Sequence, residues 1–197
     1  MTDTSAALTI RRATIEDAEI LVELTRGLNE HQGDPVGNFD VTTARRDGFG
    51  TRPCWTARIA ERAGRAVGYA MFHASYDAPH AARGLYLQDL YVRADERRGG
   101  VGRALMAAVA REARDSDCVF FWWTAKAWNN EALAFYRGLG ANAESVVAHA
   151  LFGEAFDRLI VDAPPLSPRP ARRESGAGNG ARTVPPARRT RRRTPAR

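Results

Sequence analysis

The chain contains 197 residues, of which 44% are hydrophobic and 9% aromatic, a composition typical of a soluble globular protein with one ordinary domain. No apolar stretch approaches the roughly 18 residues of a membrane-spanning helix, and the N-terminus lacks the apolar core of a signal peptide. We therefore expect a cytoplasmic protein without membrane contact. Cys54 and Cys118 have no CxxC or metal-ligand spacing, and free buried thiols are favoured over a disulfide.

The net charge of +6 is distributed unevenly along the chain. Residues 164–197 contain ten arginines and one acidic residue and so carry +9, whereas residues 1–163 carry −3. A segment rich in proline and arginine cannot bury enough apolar surface to offset its ordering entropy. We therefore predict a flexible N-terminus at 1–7, one domain at 8–163 and a disordered tail at 164–197.

The first half of the domain shows alternating strand and helix signals. Residues 8–13 alternate apolar and polar side chains, as a strand does, and residues 14–17 resemble a capping box before a helix that ends near Gly33. Residues 31–53 are loop-like, with a short helix near 42–48. The segments CWTARIAER and AVGYAMFHASY then predict a hairpin.

The second half continues the alternation. The segment GLYLQDLYV predicts a strand, and it is followed by a helix at 103–115, a strand in CVFFWWT and a helix at 130–139. The segments AESVV and ALFGEAFDRLIV are interpreted as two closing strands. This order of elements predicts a mixed α/β sheet in one domain.

A stretch of arginines and glycines separates the GLYLQDLYV strand from the helix at 103–115. It consists of Arg97, Arg98, Gly99, Gly100, Val101, Gly102 and Arg103. Backbone N–H groups at a helix N-terminus attract anions, glycines let a phosphate approach the backbone, and arginines add charge. We predict a phosphate or pyrophosphate ligand, although the spacing fits neither a Walker loop nor GxGxxG. A glycine-rich turn with solvated arginines is the alternative.

The pattern Arg97-x-x-Gly100-x-Gly102 after LYLQDLYV resembles the acetyl-CoA pyrophosphate loop of the GNAT N-acetyltransferase superfamily. The later segment AWNNEALAFYRGLGA resembles the coenzyme-binding helix of that superfamily. Three segments also resemble the spermidine/spermine N-acetyltransferase group and its bacterial relatives acting on small amines, namely SYDAPHAARGLYLQDLYV, WNNEALAFYRGLGA and FFWWTAKAW. The resemblance covers residues 8–163. It implies a GNAT-like α/β domain whose mixed, mostly antiparallel sheet is flanked by helices and contains a splayed central strand pair.

The resemblance also implies an activity, the transfer of an acetyl group from acetyl-CoA to a primary amine, and roles for single residues. Leu90, Tyr91 and Val92 would pair with the pantetheine arm and supply a backbone N–H to the developing oxyanion. Tyr136 would protonate the leaving thiolate, the alternative being a packing role. Asn129 would bind the pantetheine, cap the following helix, or do both.

The general base is the point at which the chain departs from the polyamine-acetylating relatives. Gln88 stands where they have glutamate, and an amide cannot accept a proton. Asp89 is adjacent, but neighbouring strand residues point to opposite faces, so it is expected to face the core side or to cap a turn. Asp77 would bind a cationic acceptor or is a solvated turn residue. His80 is a further candidate base.

Other side chains are given ordinary roles. The histidines lack metal-ligand spacing, so no metal is expected. Core packing is the default for Trp122, Trp123 and Trp128. The acceptor is predicted to be a small-molecule amine, with a protein N-terminus or lysine as the alternative. Weak, salt-dependent nucleic-acid binding through the tail is a separate alternative function, and a homodimer is left open.

Overall fold

A computed structural model of the chain describes residues 6–165. A boundary between two compact units lies between Glu144 and Ser145. The predicted tail at 164–197 and the predicted N-terminal segment at 1–7 lie almost entirely outside the described residues.

The first unit contains five strands and four α-helices among its described residues. In chain order these are β1 (Leu8–Arg12), α1 (Ala18–Gln32), α2 (Val41–Phe49), β2 (Thr56–Arg62), β3 (Arg65–Asp77), β4 (Ala82–Val92), α3 (Val101–Asp115), β5 (Phe120–Trp122) and α4 (Asn130–Gly138). The second unit contains α5 (Glu154–Val161). The capping box before α1 is confirmed, because the backbone N–H of Thr14 donates to Oδ2 of Asp17 over 2.8 Å.

The five strands form one sheet in the order β1-β2-β3-β4-β5. The pairs from β1 to β4 are antiparallel, whereas β4 and β5 are parallel. The parallel ladder runs only from Gly84 paired with Phe120 to Tyr86 paired with Trp122, although β4 continues to Val92. The two strands therefore separate after Tyr86, and the predicted splayed strand pair in a mostly antiparallel sheet is confirmed.

Helices cover both faces of this sheet and bury a core on each. On one face α3 contributes Leu105 and Val109 to a core that includes Val67 and Phe72. On the other face α1 contributes Leu21 and packs against Ile59, Tyr69 and Met71. Alternate residues of a strand point to opposite faces, so β3 supplies both cores from one run of sequence.

The two predicted closing strands are wrong. Residues 142–152 contain neither helix nor strand, and α5 occupies residues 154–161. Phe156, Leu159 and Ile160 are spaced as on one face of a helix, and Glu154 in the first turn complements the helix dipole. The apolar residues of this segment therefore recur with the period of a helix, and the prediction of a strand was based on the wrong period.

Two tryptophans and one cysteine also depart from expectation. Trp123 packs against the α3-side core, but Trp122 and Trp128 are 47% and 56% exposed, so core packing is wrong for these two. Both thiols are free, and Cys54 is exposed, not buried as expected. Trp122 is the last residue of the three-residue β5 and belongs to neither core.

Candidate active site

The glycine-rich loop forms an open helix N-terminus. Gly100 precedes α3 with a φ of 82°, and Arg98 has a φ of 63°, so both lie in the left-handed region. Alternation between left- and right-handed residues turns successive backbone N–H groups toward one concave side, which suits an anion. The first N–H groups of a helix also lack intrahelical partners. A Cβ atom at Gly100 would meet no other atom within 4 Å, so the loop is open above this residue.

The three arginines around the loop have different surroundings. The Nε of Arg97 donates to the carbonyl oxygen of Val92 over 3.2 Å, and its Nη1 lies 3.4 Å from a carboxylate oxygen of Glu131 in α4. Arg103 donates to the carbonyl oxygen of Gly138 over 3.3 Å. Arg98 is exposed. Two of the arginines therefore connect the loop and α3 to β4 and α4, and their predicted contact with the cofactor stays a prediction.

A buried ion pair beneath the loop was missed by sequence reasoning. Arg62, the last residue of β2, and Glu96 are 7% and 6% exposed, and their charged groups lie 3.1 Å apart. A Cβ atom at Gly99 would lie 3.6 Å from Nη2 of Arg62, so this guanidinium supports the loop directly. The only available signal was Glu96 itself, an acidic residue directly before two arginines, and its partner is distant in sequence.

Helix α4 packs against the start of α3. A Cβ atom at Gly102 would lie 3.3 Å from Cζ of Phe135, so the absence of a side chain permits this close approach. The next residue, Tyr136, has its ring 5.0 Å from that of Trp123, which follows β5. Burial raises the pKa of Tyr136 above its ordinary value of 10.0. Its hydroxyl is therefore protonated at neutral pH, and its ring packs against the residue that directly follows β5.

Asn129 caps α4. Its Oδ1 accepts a hydrogen bond from the backbone N–H of Ala132 over 3.0 Å, which confirms the capping role. The amide Nδ2 is chemically independent of that bond and can still donate. Its predicted contact with the pantetheine remains a prediction.

Leu90, Tyr91 and Val92 lie on the part of β4 that has lost β5. One edge of this segment pairs with Ala70, Tyr69 and Gly68 of β3. The other edge faces the opening between β4 and β5, because the parallel ladder has already ended. This is the strand edge at which an extended ligand arm can add backbone hydrogen bonds.

Gln88 forms a bulge in the β3–β4 ladder, directly before Asp89. Leu87 pairs with Phe72 and Asp89 with Met71, so Gln88 is the extra residue, and it is exposed. Asp89 points toward the core on the α1 side of the sheet. This is the first of the two positions expected for it, the core side and a turn cap.

The carboxylate of Asp89 belongs to a buried polar network. The hydroxyl of Tyr69 donates to Oδ2 of Asp89 over 2.9 Å and accepts from the hydroxyl of Thr25 over 3.0 Å. Burial raises the pKa of Asp89, and the hydrogen bond from Tyr69 opposes part of that rise. Sequence reasoning missed both Tyr69 and Thr25, because only tertiary packing brings α1 to this strand pair.

Asp77 and His80 contact each other and not the loop. Nδ1 of His80 lies 2.7 Å from Oδ2 of Asp77, at an exposed turn between β3 and β4. The residue that pairs with Asp77 is Ala82, at the opposite end of β4 from Val92, about 30 Å along the strand at ~3.3 Å per residue. The structure therefore keeps the predicted acceptor-binding carboxylate away from the predicted phosphate loop.

Other candidate sites are limited in the described part of the chain. Residues 6–165 contain no cluster of three or more His, Cys, Asp or Glu side chains arranged to hold a metal ion. Within the same residues, no helix is long and apolar enough to cross a membrane. A surface cleft of about 290 Å³ lies at the other end of α3, near Glu112, Ser116 and Cys118, and it does not include Tyr136.

Comparison with known proteins identifies the family. The sequence profile of the acetyltransferase (GNAT) family matches residues 22–141. A thialysine N-epsilon-acetyltransferase from Bos taurus is 32% identical over 168 residues, which cover 78% of this chain and 98% of the relative. The spermidine/spermine N(1)-acetyltransferase-like protein 1 of Homo sapiens is 30% identical over 141 residues, covering 67% of this chain and 20% of that protein.

The fold is also that of solved GNAT structures. An aminoglycoside N-acetyltransferase crystallised in complex with CoA superposes with a TM-score of 0.63 at 20% identity, covering 77% of this chain and 99% of that one. The matched family profile begins within α1 and ends just after α4, and so includes the open α3 N-terminus, the strand opening and Tyr136. The chain therefore belongs to the acetyltransferase (GNAT) family and is an N-acetyltransferase.

Proposed function

We propose that the protein transfers an acetyl group from acetyl-CoA to the primary amine of a small molecule, by direct attack, with Tyr136 as the general acid. One observation carries the proposal. The contact between Gly102 and Phe135 holds the open N-terminus of α3 and the helix that bears Tyr136 side by side, next to the opening between β4 and β5. An anion-binding backbone, a free strand edge and the half-buried Tyr136 would thus serve one site.

Acetyl-CoA would supply the thioester carbonyl and the thiolate leaving group. The backbone N–H groups from Gly99 to Arg103 would bind the diphosphate, because the loop is open above Gly100 and the helix dipole adds partial positive charge there. The free edge of β4 from Leu90 to Val92 would align the pantetheine arm and donate an N–H to the oxygen that develops negative charge. The open Nδ2 of Asn129 would add one donor.

Tyr136 would hold the proton that the thiolate needs. A thiol has a pKa near 8.5 and the tyrosine pKa lies above 10.0, so the transfer is uphill in water by roughly 2 kcal/mol or more. The ring packing with Trp123 fixes the hydroxyl in place, and positioning is what allows a weak acid to act. The raised pKa also keeps Tyr136 protonated over the whole neutral range.

The acceptor must lose a proton before it attacks. An alkyl amine with a pKa near 10.4 is neutral in about one molecule in a few thousand at pH 7. Gln88 cannot accept that proton, and Asp89 is committed to Tyr69 on the α1 side of the sheet. We propose that the enzyme takes the neutral amine from solution, which favours small, freely diffusing acceptors over a protein lysine or N-terminus.

Tyr136→Phe tests the mechanism. The substitution removes one hydroxyl and little contact area, so we expect kcat to fall by 10- to 1000-fold across the pH range, with the Kd for CoA within about twofold. Thiol release from acetyl-CoA with a panel of amines gives the rate, and calorimetry gives the affinity. Tyr76→Phe removes an exposed hydroxyl on β3 and serves as the matched control. Near-normal activity of Tyr136→Phe would show that the tyrosine only packs.

A further inference from the structure

The hairpin of β2 and β3 has two arginines opposite each other at its turn. Arg62 ends β2 and Arg65 begins β3, and the two are paired directly in the ladder. The intervening Ala63 and Gly64 have φ values of 51° and 74°, as the two central residues of a type I′ turn do. Like charges directly opposite each other on paired strands repel. Two guanidinium groups at this position therefore need an anion between them.

Glu96 is that anion. Its Oε2 lies 3.1 Å from Nη1 of Arg62, and its Oε1 accepts from Nη2 of Arg65 over 2.8 Å, so each carboxylate oxygen serves one arginine. Arg65 also pairs with the exposed Asp95 over 2.9 Å. Glu96 is buried and ends a short helical turn at Ala94–Glu96, directly before the arginines and glycines of the loop. We call Arg62, Arg65 and Glu96 the hairpin clamp, because they join the hairpin to the start of the glycine-rich loop.

The glycine-rich loop lies against the guanidinium of Arg62. A Cβ atom at Gly99 would lie 3.6 Å from Nη2 and 3.7 Å from Nη1 of this arginine, and 3.4 Å from the carbonyl oxygen of Glu96. The side chain of Arg62 is buried, and within residues 6–165 its Nε has no hydrogen-bond partner. A buried ion pair is often no more stabilising than apolar residues of similar volume. Stability alone therefore does not account for this pair.

We propose that the hairpin clamp positions the backbone of Gly99 for a diphosphate, and thereby sets the preference of the enzyme for an acetyl donor that carries one. The inference rests on the proposed function, because Gly99 is the first residue of the backbone expected to bind acetyl-CoA. Arg62 and Glu96 are positioning residues, since both are buried and contact the loop from below. Hydrogen bonds weaken steeply as their angle falls, so a loop that shifts loses affinity for the phosphates.

Position and charge make different predictions for the two members of the buried pair. If the clamp acted through its charge alone, loss of the Arg62 cation would weaken diphosphate binding, whereas loss of the Glu96 anion would strengthen it. If the clamp acts through position, either change releases the loop, and both weaken binding. Arg62→Met and Glu96→Gln keep the approximate size of each side chain, and they therefore separate the two cases.

The test compares two acetyl donors, acetyl-CoA and S-acetylpantetheine, which lacks the diphosphate and the nucleotide. For both variants we expect the KM for acetyl-CoA to rise by about tenfold or more with kcat within about threefold, because ground-state binding is lost. The Kd for CoA, measured by calorimetry, should rise by a similar factor. The value of kcat/KM for S-acetylpantetheine should stay within about twofold, which also shows that the rest of the active site is folded. Arg62→Lys keeps the charge without the planar fork and should fall between the unaltered protein and Arg62→Met.

Arg58→Met is the matched control. Arg58 also lies on β2, and its guanidinium is paired with Glu112 of α3. Glu112 is roughly 16 Å along the helix from Val101 at ~1.5 Å per residue, so this ion pair is remote from the glycine-rich loop. The variant loses an ion pair of the same sheet, and it should keep the Kd for CoA and the preference between the two donors within about twofold.

Three outcomes would overturn the clamp: an unchanged Kd for CoA in a folded Arg62→Met or Glu96→Gln variant, tighter CoA binding by Glu96→Gln, or equal losses with both donors. If Arg62→Met does not fold, Glu96→Gln and Arg62→Lys decide the question. Failure of the proposed function would appear differently, as no thiol release by the unaltered protein with either donor. The calorimetric Kd for CoA would test the clamp even then.

Discussion

By the resemblance to the polyamine-acetylating group, Gln88 occupies a strand position at which a glutamate is expected, and its amide cannot take a proton. The structure shows it as the exposed extra residue of a bulge, beside the opening between β4 and β5. A bulge re-aims a side chain, so the residue at this position is directed by the backbone and not by its chemistry. A carboxylate placed there would adopt the same position.

The pH dependence of the rate follows from this substitution. For an alkyl amine, we expect kcat/KM to rise with pH toward the pKa of the amine, with no plateau near neutrality. Gln88→Glu should raise kcat/KM at pH 7 by about tenfold or more and leave the rate near pH 10 almost unchanged, because the amine is then already neutral. Gln88→Ala is the control. A plateau near pH 7 in the unaltered enzyme would reveal another base.

The buried carboxyl group of Asp89 changes the free energy of unfolding by an amount that depends on pH. Burial raises its pKa above 3.8, so the folded protein binds this proton more tightly than the unfolded chain does. Stability from this group is therefore full below pH 3.8 and is lost as the pH rises through the folded pKa.

Asp89→Asn should accordingly raise the free energy of unfolding at pH 7, because an amide oxygen still accepts from Tyr69 without carrying a charge. The gain is about 1.4 kcal/mol for each tenfold difference in proton affinity between the two states, and it should disappear near pH 3.5. Urea unfolding at both pH values measures it, with Asp77→Asn, at a half-buried carboxylate outside the Tyr69 network, as the control. A less stable variant at pH 7 would mean that the ionised carboxylate is itself stabilising.

Among the helices, the spacing between α3 and α4 is expected to control the proposed acetyl-CoA site. Gly102→Val would place a branched side chain against Phe135 and force the helices apart. We expect the KM for acetyl-CoA to rise by about tenfold or more, with a loss of about 1–3 kcal/mol in the free energy of unfolding. Steady-state kinetics and thermal unfolding measure the two effects.

Gly138→Ala provides the matched control at the other end of α4, where a Cβ atom would meet nothing within 4 Å. It should stabilise the protein by about 0.5–1 kcal/mol and leave the KM unchanged. If both variants leave the KM unchanged, the spacing of α3 and α4 does not control cofactor binding.

The elements that sequence reasoning found are those with a strong local signal. The capping box at Thr14, the α3 N-terminus and the β4 strand all follow from residues close together in the chain. The apolar run that forms α5 was assigned the wrong period, because its spacing fits both a short strand and a helix. The Arg62–Glu96 pair joins a hairpin to a distant loop, and no local pattern predicts such a contact.

The negative and the positive net charge of the protein lie in different parts of its sequence. Residues 1–163 carry −3 and residues 164–197 carry +9. The residues proposed to bind acetyl-CoA all lie before residue 145. The chemistry of the domain and the charge of the C-terminal segment are therefore expected to act independently.

Removal of residues 166–197 tests that independence. These residues hold ten arginines and one glutamate, and a segment of this composition is expected to add no packed contacts to the site. At ~0.15 M ionic strength, where the Debye length is about 8 Å, kcat/KM for acetyl-CoA should stay within about twofold of the full chain. A full-length variant with the ten arginines replaced by glutamine separates the effect of charge from that of length. Fluorescence anisotropy with an oligonucleotide should show binding by the full chain alone, and this binding should weaken as salt is raised. A truncated protein that folds with the same Tm but no longer acetylates amines would place the segment in the active site.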